Sequence, residues 1–150
     1  MTSIYAYQKI STPHTIVQML MPDNQGADDS TRCTELCTLD GITYVAVPDA
    51  AALPDQPPEL TIAPAVLTDA LREQIKVASP HALLIHERTE AMIRSRYSAA
   101  DEMYFARIGV GVALGAYVFE PGEQDKLLAF GVFVESARQW GREERAKLGL

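Results

Sequence analysis

Histidine, cysteine and tryptophan are scarce: three, two and one in 150 residues. So few histidines leave little stock for general-base chemistry. The usual structural-zinc spacing, two close ligand pairs, is missing. No elbow-type serine motif or phosphate-cradling Gly-Lys-Ser/Thr loop is present. Basic side chains are nearly missing from residues 1–64, which hold only Lys9 and Arg32 against Asp23, Asp28, Asp29, Glu35, Asp40, Asp49, Asp55 and Glu59. That half carries almost all of the chain's net charge of −7. Such a surface repels phosphate backbones, so nucleic acid is not an expected partner. The longest stretch without Asp, Glu, Lys, Arg or His, Ile108 to Phe119, is about 12 residues against the ~20 that cross a bilayer. Tyr5 to Lys9 interrupts any apolar run at the start, so no signal peptide is expected. A cytoplasmic location with reduced thiols is the resulting expectation.

What is present suits a globular chain. Apolar residues make up 47 %, enough for one domain or two small lobes. Ser3 to Gln8 is β-prone, and Thr15 to Met21 is a second apolar run closed by Pro22 and Asp23. Residues 22–31, rich in Asp with Pro and Gly, read as an exposed loop. Glu35–Leu39 and Ile42–Val47 flank Asp40-Gly41, a type I′ hairpin signal because both turn positions need positive φ. In the second arm Ile42, Tyr44 and Ala46 should face one way, and Thr43, Val45 and Val47 the other. Five prolines between Pro48 and Pro64 predict an extended, semi-rigid linker.

Beyond it the period turns helical. Leu67, Leu71 and Ile75 predict a helix within Thr61–Ala78. Ser79-Pro80 opens a second, running to about Tyr97, with Ile85, Met92, Ile93 and Tyr97 inward. Ser98-Ala-Ala-Asp101 resembles a capping box and opens a third. Gly109, Gly111 and Gly115 either weaken that helix, permit close packing, or break it. Pro121-Gly122 is a turn before a last helix from about Glu123 to Lys147, whose stripe Phe130, Phe133, Ala137, Trp140 is core or, where exposed, an interface anchor.

Chemistry-bearing patterns are thin. Cys33 and Cys37, if on one strand, would share a face at ~13 Å, too far for a disulfide. They read as small buried hydrophobes. His86-Glu87-Arg88-Thr89-Glu90 opens like a zinc-protease helix, but Glu90 stands where the second His belongs. His81 and His86, five apart, leave a helix on different sides. Gly109-Val-Gly111 with Gly115 misses the dinucleotide fingerprint by one place. Arg88, Arg94, Arg96 and Arg107 alternate with Glu87, Glu90, Asp101 and Glu102, as helix-surface ion pairs do.

Residues 90–107 contain Glu90-x-x-Ile93-Arg94-x-Arg96-Tyr97-Ser98-x-x-Asp101-Glu102 with Arg107 following, and Phe130-Gly-Val-Phe133-Val-Glu135-x-x-Arg138-x-Trp140-Gly-Arg142 comes later. This pattern resembles the C-terminal region of small proteins encoded beside tail-fibre genes in bacteriophages and prophages. The segment Gly109–Phe119 departs from it, being longer and more apolar. The resemblance implies a structural or assembly role in a phage tail, with a tail-fibre or baseplate component as partner and no catalytic residues.

The expectation is therefore an α+β chain: a β-rich unit over 1–48, a linker over 49–64, and a bundle of three or four helices over 65–150. No enzyme activity, cofactor, metal or membrane partner is expected. Phe130, Phe133, Trp140 and Arg138 are the candidate partner-binding residues, and a homo-oligomer is open. Virion association is an alternative to residence in the host cytoplasm. Rival readings are a cellular adaptor using its last helix, and a small-ligand binder or enzyme with a site between two lobes, to which His81, Glu87 and the cysteines would contribute.

Overall fold

A computed structural model describes residues 1–23 and 30–150, so most of the expected loop at 22–31 lies outside the described residues. The fold is α+β: antiparallel strands first, then four helices. Strands β1 (Thr2–Gln8), β4 (Thr34–Leu39), β5 (Ile42–Pro48) and β6 (Ala63–Pro64) form one sheet in the order β4-β5-β1-β6. A separate two-stranded ribbon joins β2 (Ile10–Ser11) to β3 (Ile16–Val17). The helices are α1 (Asp69–Ala78), α2 (Pro80–Arg96), α3 (Ala99–Ala113) and α4 (Glu123–Lys147).

The hairpin forms where expected. Asp40 and Gly41 have φ of 49° and 81°, the paired left-handed geometry of a type I′ turn. β5 is an interior strand, paired with β4 and β1, and is buried from Thr43 to Pro48, because both faces of the sheet are covered. On one face Tyr44 and Ala46 pack with Ile4, Leu36, Cys37 and Ile75 of α1, flanked by Leu67, Leu71, Leu148 and Leu150. On the other, Val45 and Val47 pack with Tyr7, Met19 and Cys33.

Four expectations need correction. The run Thr15–Met21 is a strand only at Ile16–Val17, which follows the Thr12–Thr15 turn, and Met19 beyond it is buried at 2 % exposure. The first helix starts at Asp69, where Thr68 accepts from the Leu71 N–H, and Ala63–Pro64 upstream pairs with β1 instead. The two cysteines do not share a face: the ladder slips between Glu35 and Cys37, a bulge that sends Cys33 to one core and Cys37 to the other. The proline-rich stretch is not a bare connector. Ala51, Leu53, Leu60 and Ile62 cover the second face of the sheet, and the Gln56 side chain bonds both the N–H and the carbonyl of Leu20 at 2.9 Å.

Contacts divide the chain into two compact units, Met1–Ile85 with Glu143–Leu150, and His86–Arg142. This division falls elsewhere than the proline-rich segment. Both buried clusters described above belong to the first unit. Its α1–α2 junction turns on Ser79: its N–H ends α1 on the Ile75 carbonyl at 2.8 Å, and its hydroxyl accepts from the Ala82 N–H at 3.4 Å to open α2.

The second unit is built differently. The Ser98–Asp101 capping box opens α3 as expected. Gly115, at φ 70°, ends it in a Schellman motif: the Ala116 N–H reaches the Gly111 carbonyl at 2.8 Å and the Gly115 N–H reaches Val112 at 3.0 Å. Gly111 itself lies within the helix. An added Cβ there would stand 2.9 Å from the Tyr117 Cβ, so the returning chain packs where only glycine leaves room. Aromatic rings hold the inner side. Phe105 stacks on Phe130 at 4.9 Å, and Tyr97 meets Phe130 edge-on at 5.1 Å and Phe133 at 5.7 Å.

Candidate functional site

The second unit leaves several large apolar side chains of α3 and α4 exposed. α3 carries no charge from Ile108 onward, so apolar side chains point around its whole circumference. A helix apolar all round belongs in an interior. Here Phe105 and Ile108 are buried, while Met103, Val110 and Leu114 share a stripe at helical spacing and are all more than half exposed. On α4 the inward stripe carries Phe130, Phe133, Ala137 and Trp140, and Leu128 and Val132 stand out at 59 % and 72 % exposure.

Between Val110 of α3 and Leu128 and Val132 of α4 runs a shallow, open groove of about 920 Å³. Ala106 and Gly109 of α3 and Gly131 of α4 form its low ground; Val110, Leu128 and Val132 flank it. A Cβ at Gly131 would meet open space, whereas one at Gly109 would touch the Leu127 methyls at 3.7 and 4.0 Å. Among the described residues lining the groove only Glu135 is charged, and its carboxylate bonds Arg142. Ser136 and Gln139 supply the remaining polar side chains.

Glu123 fixes the end of this face. The residue is 6 % exposed, and its carboxylate accepts from the Tyr104 hydroxyl, from Tyr117 at 2.8 Å and from the Glu120 N–H at 2.8 Å. The Tyr104 hydrogen bond, followed by the Glu120 N–H, holds its pKa below the usual carboxylate value. The same carboxylate, by hydrogen bonding, pushes Tyr117 up to about 12 and raises Tyr104. With both oxygens engaged, Glu123 is a tie between α3, the connecting turn and α4 rather than an available base.

The four candidate contact residues of α4 scatter over this unit. Phe130 lines the groove and braces it from beneath through Phe105. Phe133 lies in the aromatic cluster with the Arg96 guanidinium 4.9 Å above its ring. Trp140 is half-buried and Arg138 is exposed. Sequence reasoning missed Val110, Leu128, Val132 and the two groove glycines as a surface. Their signal was the charge-free length of α3, which cannot bury itself on one neighbour.

The histidines, cysteines and acids assemble no metal centre: among the described residues no group of three or more His, Cys, Asp and Glu is placed to hold an ion. His86 lies 3.5 Å from Glu90 on the exposed side of α2. Burial raises both thiols, with the Glu35 charge adding to the effect at Cys37. Arg94 lies 2.7 Å from Glu102, an ion pair between α2 and α3 rather than along one helix. Among the described residues no helix is long and apolar enough to cross a membrane. No protein-family model, curated protein or solved structure gives a significant match to the chain.

Proposed function

We propose that this is a non-enzymatic structural or assembly protein that acts by protein–protein contact, through the apolar face of α3 and α4. The uncovered groove carries the reading. Contiguous exposed apolar side chains, here Val110, Leu128 and Val132, suit an interaction site better than scattered ones do. The sequence pattern over residues 90–107 and 130–142 directs the proposal to a phage or prophage tail, with a tail-fibre or baseplate component as partner and the host cytoplasm or the virion as location. A cellular adaptor would use the same face, so the partner decides between the two.

The test is capture of partners by the tagged full chain from its native host, in parallel with Val132→Lys. Val132 is 72 % exposed, so the substitution leaves the fold intact. Tail components recovered by the natural sequence and lost with the variant are the expected result. Recovery of an ordinary cellular protein, equally sensitive to Val132→Lys, would replace the tail role with the adaptor role. Capture indifferent to the variant would refute the assignment of the surface.

A further inference from the structure

We infer that residues 51–62 form a strap that lifts from the sheet as a unit without global unfolding, and that the Gln56 side chain is its latch. The strap belongs to the first unit and is anchored at both ends. Upstream, β5 runs into it through a turn in which the Ala51 N–H bonds the Pro48 carbonyl at 2.9 Å. Downstream, β6 holds Ala63 and Pro64 against Ala6 and Tyr5 of β1, and the Ala65 N–H bonds the Ile4 carbonyl at 2.7 Å.

Between these anchors the attachment is thin. Pro54, Pro57 and Pro58 have no N–H to offer a neighbouring strand. Among the described residues no backbone hydrogen bond joins 52–62 to the sheet, and the Leu60 N–H bonds within the strap, to the Pro57 carbonyl at 3.1 Å. The strap rests on side chains instead. Ala51, Leu53, Leu60 and Ile62, each only half-buried, pack on the buried cluster of Tyr7, Met19, Cys33, Val45 and Val47. Gln56 makes the polar tie: its Oε1 accepts from the Leu20 N–H and its Nε2 donates to the Leu20 carbonyl, both at 2.9 Å.

A segment with half-buried apolar contacts and few backbone hydrogen bonds opens at a lower free energy than the ladder beneath it. Fixed ends and a loosely held middle keep that opening local. The face carrying Tyr7, Val45 and Val47 is therefore core when the strap is shut and surface when it lifts.

The two buried cysteines report on the two faces separately. Cys33 lies in the cluster under the strap, and Cys37 in the opposite cluster with Ile75 of α1. The experiment follows labelling of both thiols in the folded full chain by a disulfide reagent, across urea concentrations below the unfolding transition, with peptide fragmentation to assign each label. The urea slope measures the surface that an opening exposes. Cys33 should label with a shallow slope, still far more slowly than in the unfolded chain, and Cys37 with a steeper one. Gln56→Ala removes both bonds to Leu20 and should speed Cys33 on the order of twentyfold, a factor of about five for each bond. Leu60→Ala, which thins the strap itself, should speed Cys33 as well. Ile75→Val weakens the opposite core, which stays intact when the strap lifts. It should speed Cys37 about two- to tenfold and leave Cys33 unchanged. Cysteines that share one steep slope and both respond to Ile75→Val overturn the inference, because only global unfolding then reaches them. A shallow Cys33 slope indifferent to Leu60→Ala overturns it too, because a different segment opens.

Discussion

Two helical glycines two residues apart should respond to alanine with opposite signs. At Gly109 an added Cβ would find only the Leu127 methyls, at 3.7 and 4.0 Å, which is ordinary contact. The usual helix-interior gain of about 1 kcal/mol from Gly→Ala should therefore appear. At Gly111 the same methyl would sit 2.9 Å from the Tyr117 Cβ. That atom is fixed to its backbone, so it cannot swing aside as a side-chain tip would. Tyr117 is also tied at both ends: its N–H bonds the Gly111 carbonyl at 3.1 Å and its hydroxyl bonds Glu123 at 2.8 Å. Relief requires moving the chain after α3, which strains the Schellman hydrogen bonds. Overpacking costs about 1–3 kcal/mol and each weakened backbone hydrogen bond about 1 more, against the same 1 kcal/mol helix gain. Gly111→Ala should come out destabilising by about 1–3 kcal/mol and Gly109→Ala stabilising by up to about 1. Urea unfolding followed by far-ultraviolet circular dichroism reads both. Equal stability of the two variants would refute the tight return of the chain over Gly111.

Ile75, fully buried against the sheet, should cost about 2–5 kcal/mol when replaced by alanine, measured by the same unfolding curves. Cys33 and Cys37, buried with raised pKa, should react with a disulfide reagent far more slowly in the native chain than in urea; fast native labelling would contradict their burial. The Glu123 ties give two pH limits. Its pKa is lowered on folding, so their stabilisation is complete above the unfolded carboxylic value of ~4.3 and is lost as pH falls through the lower folded value. Tyr117 is raised from 10.0 to about 12, so its share is complete below the unfolded value and is lost as pH climbs from there to the folded one. A tyrosinate absorbance titration should therefore contain a late step near 12 that Glu123→Gln moves downward; its absence from the natural sequence would count against the hydrogen bond.

Local chemistry made the ends of elements legible, and periodicity the order of strands followed by helices. Asp40-Gly41, Ser79-Pro80 and Ser98-x-x-Asp101 each act through backbone geometry within four residues, and each lies in the structure where its residues indicate. The bulge at Glu35–Cys37 leaves no such mark, since it depends on how β4 meets β5, and it alone separates two cysteines that simple alternation would align. Proline content likewise describes a backbone and not what it touches: the stretch through Leu53, Leu60 and Ile62 covers half the sheet core. The candidate surface was hidden for a related reason. Periodicity locates a buried face by contrast with a polar one, and α3 beyond Ile108 offers no contrast. A helix of that kind announces only that it needs covering on more than one side. α4 covers one side with Phe130, and the stripe of Met103, Val110 and Leu114 is left over. The same absence of polar residues that made the orientation of α3 unreadable leaves its outer side apolar and exposed at Met103, Val110 and Leu114.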